Sequence, residues 1–477
     1  MKIRTSTMVW LGSGGILLGL WSAQYIDRIS VWFYVVSLIL LPVIRFRKFI
    51  SVIGLLLCTF TLGVFRSQAW LSSHRAADRL IGQKVVVEGR VITDSIYDDR
   101  RQTEIEIDQV TIYIKDNTIK PKGKIRIRGF GAPLVLRHDI IRATGKLNSG
   151  FGTRIASMSF TSIEVLARSG SKLEEFRRSF SANLFSQLSD QDASLALGIL
   201  VGQRSSITDQ NQNNLRAAGL THIIAVSGYN LSVLVRLVRR RLGRLSKFQA
   251  MVISVTLITL FIMIAGASAS IVRAAWVIGL SLAAWYVGRT IRPIVLLMLS
   301  AAGSVWFNPD FIWYDIGWWL SFAAFFGVLM IGPQLQTRIF KNKKPNFLIQ
   351  VAIESLAASL MTMPLIMWVF TRVSLVSLLA NILVVPLIPI IMVLSFGAGI
   401  MIFISSKFLL TKLITAITGL LLSYILSISA WLASIPYSEL IVSINTAQLL
   451  TIYLIIIVAT WVLHQKTSLI KPYDLLE

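Results

Sequence analysis

The sequence predicts a polytopic α-helical membrane protein of roughly twelve apolar segments, with a small extracytoplasmic all-β domain near its N-terminus. Three observations predict it. The 477 residues are 55% hydrophobic and include 13 Trp, a composition of integral membrane proteins. Apolar runs long enough to cross a hydrocarbon core of roughly 30 Å recur along most of the chain. Between residues 81 and 166 that pattern stops, and charged residues alternate with apolar ones at strand period.

The N-terminal region, residues 1 to 66, reads as three short spans at 8 to 25, 31 to 44 and 49 to 65. Lys2 and Arg4 ahead of an apolar stretch imitate a secretory signal, but further spans follow at once, so the first is expected to be an uncleaved helix. Arg45, Arg47 and Lys48 lie between the second and third spans and are expected on the cytoplasmic side, which sends the chain outward near Arg66. Cys58 is the sole cysteine, so no internal disulfide forms, and a small buried hydrophobe is its expected role.

In the next block, strands are expected at residues 84 to 91, 103 to 114, 123 to 130 and 140 to 146, with turn chemistry at Asp98-Asp99 and Asp116-Asn117. Short strands in a block of this size suit a small barrel of the OB type. Lys120, Lys122, Lys124, Arg126 and Arg128 suggest a nucleic-acid contact, whereas the aromatic residues are too scattered to make an evident stacking platform. Both readings, a DNA contact and a plain structural barrel, stay open on the sequence.

Residues 171 to 210 begin with an amphipathic helix, in which Leu173, Phe176, Phe180, Leu184 and Leu188 share one face. It is expected at the membrane surface or packed on the bundle, and leads into a Gly-containing apolar segment too short to span. Residues 211 to 464 hold about nine further apolar segments, followed by a short tail from 465 to 477. Basic clusters at 236 to 247, at Arg289 with Arg292, and at 338 to 344 fall on one side if the spans alternate, in agreement with the first cluster. The net charge of +24 favours anionic partners, of which membrane lipid is the plainest.

Polar residues inside apolar segments mark candidate sites, because at bilayer depth they are tolerated where they face protein or a wet cavity. Thr221, His222, Ser227, Gly228, Asn230 and Ser232 lie in a run from 219 to 235 that otherwise reads as a spanning helix. The hydroxyls and amide can donate to phosphate or water, and Gly228 permits a helix break. His222 is either a proton-sensitive contact or an interior histidine bonded to a neighbouring helix. Arg273 opens another apolar run beside Ser268 and Ser270; it can meet phosphate or reach to headgroups. Gly317 and Ser321 follow Asp315, a cap or arginine partner, within the aromatic cluster Trp313, Tyr314, Trp318 and Trp319, expected as an interfacial belt. Pro364, and Pro386 with Pro389, interrupt apolar runs, with Asn381 at the second break.

The run from 219 to 232 closely resembles the signature of the ComEC family of bacterial competence proteins, and residues 196 to 204 with Leu215-Arg216-Ala217-Ala218 resemble the segment leading into it. Residues 266 to 274 and the stretch from Asn308-Pro309 to Phe322 are similar to further family motifs. Where the family commonly has a histidine after the Ser-Gly pair, this chain has Asn230, which argues against metal binding or proton transfer at that position. The resemblance implies a bacterial cytoplasmic-membrane channel for single-stranded DNA, served by a DNA receptor outside and a helicase-like motor in the cytoplasm. It also implies an OB-like domain at residues 81 to 166. Many members carry a metallo-β-lactamase-like domain after the last span, but the tail from His464 to Glu477 is too short for one, and none is expected here. Residues alone leave a transporter of another anionic solute or lipid as the alternative, and a docking scaffold as a third. No cofactor, metal or catalytic role is expected: His74, His138, His222 and His464 are dispersed, and there is no Walker-type loop or nucleophile elbow.

Overall fold

Two glycine-faced helices open the chain: α1 (Thr5–Ser22) and α2 (Lys48–Asp78). A Cβ on Gly19 would strike the Phe60 backbone, and one on Gly63 would strike the backbone of α1 at Ile16, so these helices touch main chain to main chain. Gly15 and Gly19 form the small-xxx-small spacing that permits such an approach in membranes. The contacts advance together, from Gly12 against Thr59 to Leu20, whose carbonyl accepts from Ser67 Oγ at 3.2 Å. The two helices therefore run in the same direction. The computed structural model describes residues 5–26, 48–93, 96–97, 103–114, 117–130, 135–203, 206–224, 231, 235, 246–266, 269–289, 291–340, 345–405 and 408–466. The predicted span at 31 to 44 lies outside them. The boundary expected at residue 66 is passed without a break, since α2 continues as helix to Asp78.

The strands β1 (Lys84–Val91), β2 (Ile96–Tyr97), β3 (Thr103–Ile114), β4 (Asn117–Ile119), β5 (Lys124–Phe130), β6 (Ile140–Ser149) and β7 (Arg154–Ala167) follow. Five of them close on themselves. β1 pairs β6, β6 pairs β7, β7 pairs β5, β5 pairs β3, and β3 returns to β1; only β5 and β7 run parallel. Inward residues such as Val87, Ile107, Ile125, Ile127 and Ile141 alternate with polar outward ones and are fully buried. β7 is absent from the sequence-based expectation because its stretch mixes serines and threonines with few branched apolar residues, and a bulge puts Phe160 at φ 55°.

This barrel belongs to one compact unit, Met1–Phe176 with Ala301–Ile316; the other comprises Arg177–Ser300 and Gly317–Glu477. The helices from the end of the barrel onward are α3 (Lys172–Gln187), α4 (Asp190–Val201), α5 (Asp209–Ala217), α6 (Lys247–Ala265), α7 (Ala269–Tyr286), α8 (Pro293–Phe307), α9 (Asp310–Tyr314), α10 (Ile316–Phe326), α11 (Gly332–Phe340) and α12 (Phe347–Phe370). Then come β8 (Arg372–Ser374), α13 (Ser377–Val384), α14 (Ile388–Ile404), α15 (Leu409–Ser434), β9 (Glu439–Ile441) and α16 (Thr446–Lys466). The protein is thus mostly helical with an N-terminal β domain. Among the described residues, six helical stretches are long and apolar enough to cross a membrane: Val52–Ser72, Ile316–Phe340, Phe347–Phe370, Ser377–Phe403, Leu409–Ser434 and Thr446–Leu463. Shorter apolar helices cover Lys247–Met263, Ser270–Tyr286 and Pro293–Phe307.

The amphipathic helix α3 packs on the bundle. Phe180 fills the space that Gly399 leaves on α14, with its ring 5.9 Å from that of Phe396. The run through Pro386 is a broken helix: α13 ends at Val384, a 3-10 turn covers Val385–Leu387, and α14 resumes. Proline supplies no N–H to bond the preceding turn, which accounts for the break. Pro364, by contrast, sits inside the continuous α12. Tyr453 on α16 donates to the Met361 carbonyl at 2.9 Å, next to that proline.

Candidate functional site

Three junctions of the helical unit join polar side chains to elements distant in sequence. At the first, Ser189 caps α4: its Oγ accepts from the Asp192 N–H at 3.2 Å and donates to the Asp192 carboxylate at 2.7 Å. Asp192 is 7% exposed, and both its oxygens lie 3.0 Å from Ser423 Oγ, at the middle of α15. Ten of the twelve residues of α4 are buried, and Gly202 ends it at φ 74°. A carboxylate joined to a helix long and apolar enough to cross a membrane is a feature that the hydropathy reading missed, although Ser189-x-x-Asp192 is a legible capping signal.

The second junction holds the run that begins at Gly219. That residue has φ 74°, and the Leu220 N–H returns to the Leu215 carbonyl at 2.7 Å, closing α5 with a left-handed cap. Thr221 and His222 then lie in a 3-10 turn, Thr221–Ile223, and both are exposed. The expectation of one helix from 219 to 235 is therefore corrected at its start: positive φ at Gly219 breaks it. His222 Nδ1 is 3.1 Å from the Gly219 carbonyl. Ser227, Gly228, Asn230 and Ser232 lie outside the described residues. Facing this turn, Ser374 Oγ donates to the Ala217 carbonyl at 2.6 Å, and a Cβ on Gly219 would come within 2.5 Å of the Ser377 Cβ. β8, paired with β9, positions Ser374, and α13 starts immediately after it. One turn into α13 stands Asn381, 8% exposed, whose Oδ1 has no hydrogen-bond partner among the described residues. Two runs more than 150 residues apart thus meet, Ala217–Gly219 with Ser374–Ser377, a separation evident in the contact itself.

At the third, Arg273 on α7 is 4% exposed and donates from Nη2 to the Gly317 carbonyl at 3.0 Å. This joins two further sequence runs. Gly317 is exposed in the first turn of α10, and Ser321 is half-buried one turn later. Trp318 does not belong to an interfacial belt: it is buried, with its ring 4.7 Å from Phe322 and 5.1 Å from Trp319. Trp319 and Tyr314 remain exposed, while Trp313 donates to the Leu20 carbonyl at 3.0 Å within the first unit.

On the barrel, the basic run divides. Glu104 pairs with Arg126 and also accepts from Arg128 Nε at 2.7 Å, so one carboxylate engages both guanidinium groups. Arg154 with Glu106, Arg90 with Asp108 and Arg142 with Glu88 extend the pattern around the outer face. Lys122 is exposed and Lys124 half-buried, and neither has an ion pair among the described residues. Glu88 is pushed up by burial, but hydrogen bonds from Arg142 and Tyr113 together with the Arg142 charge outweigh that and hold its carboxyl below the ordinary 4.5. No group of three or more His, Cys, Asp or Glu suited to a metal occurs among the described residues.

The Competence protein family profile matches residues 199–467, more than half of the chain. ComE operon protein 3 of Bacillus subtilis (strain 168) is 26% identical over 288 residues, 60% of this chain and 36% of that protein, so the match spans about a third of the relative's length. No solved structure matches. The matched region contains the second and third junctions entire and the Ser423 side of the first, and the chain accordingly belongs to the ComEC family of competence proteins.

Proposed function

We propose that this protein is a cytoplasmic-membrane channel through which single-stranded DNA enters a bacterium during natural transformation. The observation that carries the reading is the family match over 199–467, the region in which buried polar groups join helices distant in sequence. A polyanion needs a hydrated path with weak, repeated contacts along it. Thr221, His222, Ser227, Gly228, Asn230, Ser232 and Asn381 would supply donors along such a path, with Arg273 holding α7 on α10 as part of its wall. Gly317, Ser321, Pro364 and Pro386 shape the helices around it.

The barrel is read as an OB-like domain on the extracytoplasmic side. Its closed order β1-β3-β5-β7-β6 with a single parallel pair supports that reading. Roughly twelve crossings, a DNA receptor outside and a helicase-like cytoplasmic motor complete the proposal, and catalysis is not part of it. The test is transformation of a strain lacking this gene. Loss of labelled-DNA entry, restored by the intact gene, is the expected result; undiminished entry would instead favour a transporter of another anionic solute or lipid.

A further inference from the structure

The barrel end that carries the β6–β7 turn has features of a membrane-binding surface. Phe151, at the tip of that turn, is 86% exposed. Its neighbours force it outward: a Cβ on Gly150 would strike the Arg154 carbonyl, and Gly152 has φ 69°. The same end holds basic residues that have no ion pair among the described residues. Lys124 is in register with Arg154, and Gly123 packs on Ile155, so Lys120 and Lys122 lie at the level of the turn.

A chain of contacts ties this end to the end of a candidate span. Val52–Ser72 is a candidate span, and near its end Arg66 donates to the Phe307 carbonyl at 3.3 Å while Trp70 donates to Asp310 Oδ1 at 3.0 Å. α9 runs from that aspartate to Tyr314, and a Cβ on Gly152 would lie 3.9 Å from the Tyr314 carbonyl oxygen. The chain also enters the barrel here, where the Gly82 N–H donates to the Leu147 carbonyl at 2.7 Å. Tyr314 and Phe307 are exposed beside the turn's neighbour. Exposed aromatic side chains next to lysines at the end of a span are the composition of a bilayer interface.

We propose that this end of the barrel docks on the membrane, with the Phe151 ring entering the headgroup and upper acyl region and Lys120, Lys122 and Lys124 meeting anionic phospholipid headgroups. Nucleic acid fits the same lysines less well. The strand beside β5 presents Glu104, Glu106 and Asp108 outward, which repel a phosphate chain running up the barrel, and the arginines there are already held by those carboxylates. The inference does not depend on what the helical unit transports.

The lone cysteine makes a direct test possible. In the full-length chain carrying Cys58→Ser, Phe151→Cys is labelled with an environment-sensitive fluorophore and reconstituted into phosphatidylcholine vesicles with or without phosphatidylglycerol. The expected result is a blue-shifted emission, quenched by lipids spin-labelled near the headgroup and protected from aqueous iodide, more so with phosphatidylglycerol. Ile140→Cys, exposed at the opposite end of β6 roughly 30 Å away along the strand, is expected to report water in both vesicles. Lys120→Gln, Lys122→Gln and Lys124→Gln together should abolish the dependence on phosphatidylglycerol. An emission at position 151 indistinguishable from that at 140, or one that responds to a single-stranded oligonucleotide but not to lipid, overturns the proposal. So does a dependence on phosphatidylglycerol that survives loss of all three lysines.

Discussion

Ser423→Ala tests whether the Asp192 carboxylate fastens α4 to α15. The hydroxyl lies 3.0 Å from both carboxylate oxygens, and Asp192 is nearly buried. In soluble proteins a hydrogen bond to a charged group is worth about 1.5–3 kcal/mol. Bonds between membrane helices are weaker in double-mutant cycles, with a mean of about 0.6 and a maximum of about 1.7 kcal/mol. Loss of Ser423 leaves the carboxylate its Ser189 hydroxyl and the N-terminus of α4, so desolvation is only partly uncompensated. A coupling of about 1–1.7 kcal/mol follows from the upper membrane range, since this acceptor is ionic. Asp192→Ala costs more by itself, because the helix cap, worth about 1 kcal/mol, is weakened as well. The assay is a double-mutant cycle of Ser423→Ala and Asp192→Ala in the full-length protein, unfolded from bicelles with dodecyl sulfate and followed by circular dichroism. A coupling within about 0.5 kcal/mol of zero, the additivity limit for independent sites, refutes the assignment.

Two further outcomes follow from the first unit. Glu88 has its carboxyl held below 4.5, so its pairing with Arg142 and Tyr113 stabilises the barrel fully above that value and is lost as pH falls through the lower folded-state value. Thermal unfolding of the barrel should weaken on acidification below about pH 4.5, and Glu88→Gln should flatten that part of the profile; an unaltered profile in the variant would exclude Glu88 as a contributor. Gly19→Val drives a side chain into the Phe60 backbone and should cost about 1–3 kcal/mol through overpacking, read as a lower unfolding midpoint. Gly397→Ala, where a Cβ meets nothing within 4 Å, should be neutral or stabilising.

Periodicity made the barrel strands legible. β1 and β3 have the bounds that alternation alone suggests, because each buries one face only and its side chains keep the period of two. β7 escaped that reading since Ser157, Ser159 and Ser162 lie on its outward face, the polar Thr161 is buried, and its bulge shifts the period at Phe160. The basic run from Lys120 to Arg128 was visible in the chain, but its division was not: Glu104 arrives from a strand some twenty residues earlier, and only the register shows that it takes both arginines. Hydropathy likewise located the apolar runs, while the partnership of Arg273 with Gly317 is a tertiary contact that no local pattern encodes. The start of the run at 219 was read as helix because apolar residues dominate it. The left-handed backbone of Gly219 decides otherwise, and a glycine in an apolar run does not announce its φ.

Because β3 rejoins β1, the five-strand ring itself offers no unsatisfied strand border to a visiting peptide. Among the described residues of the domain, strand addition is left to the short β2 and β4, which pair β3 alone. A screen for proteins that assemble around it is therefore better aimed at grips on loops and side-chain surfaces than at extended segments seeking a sheet to extend.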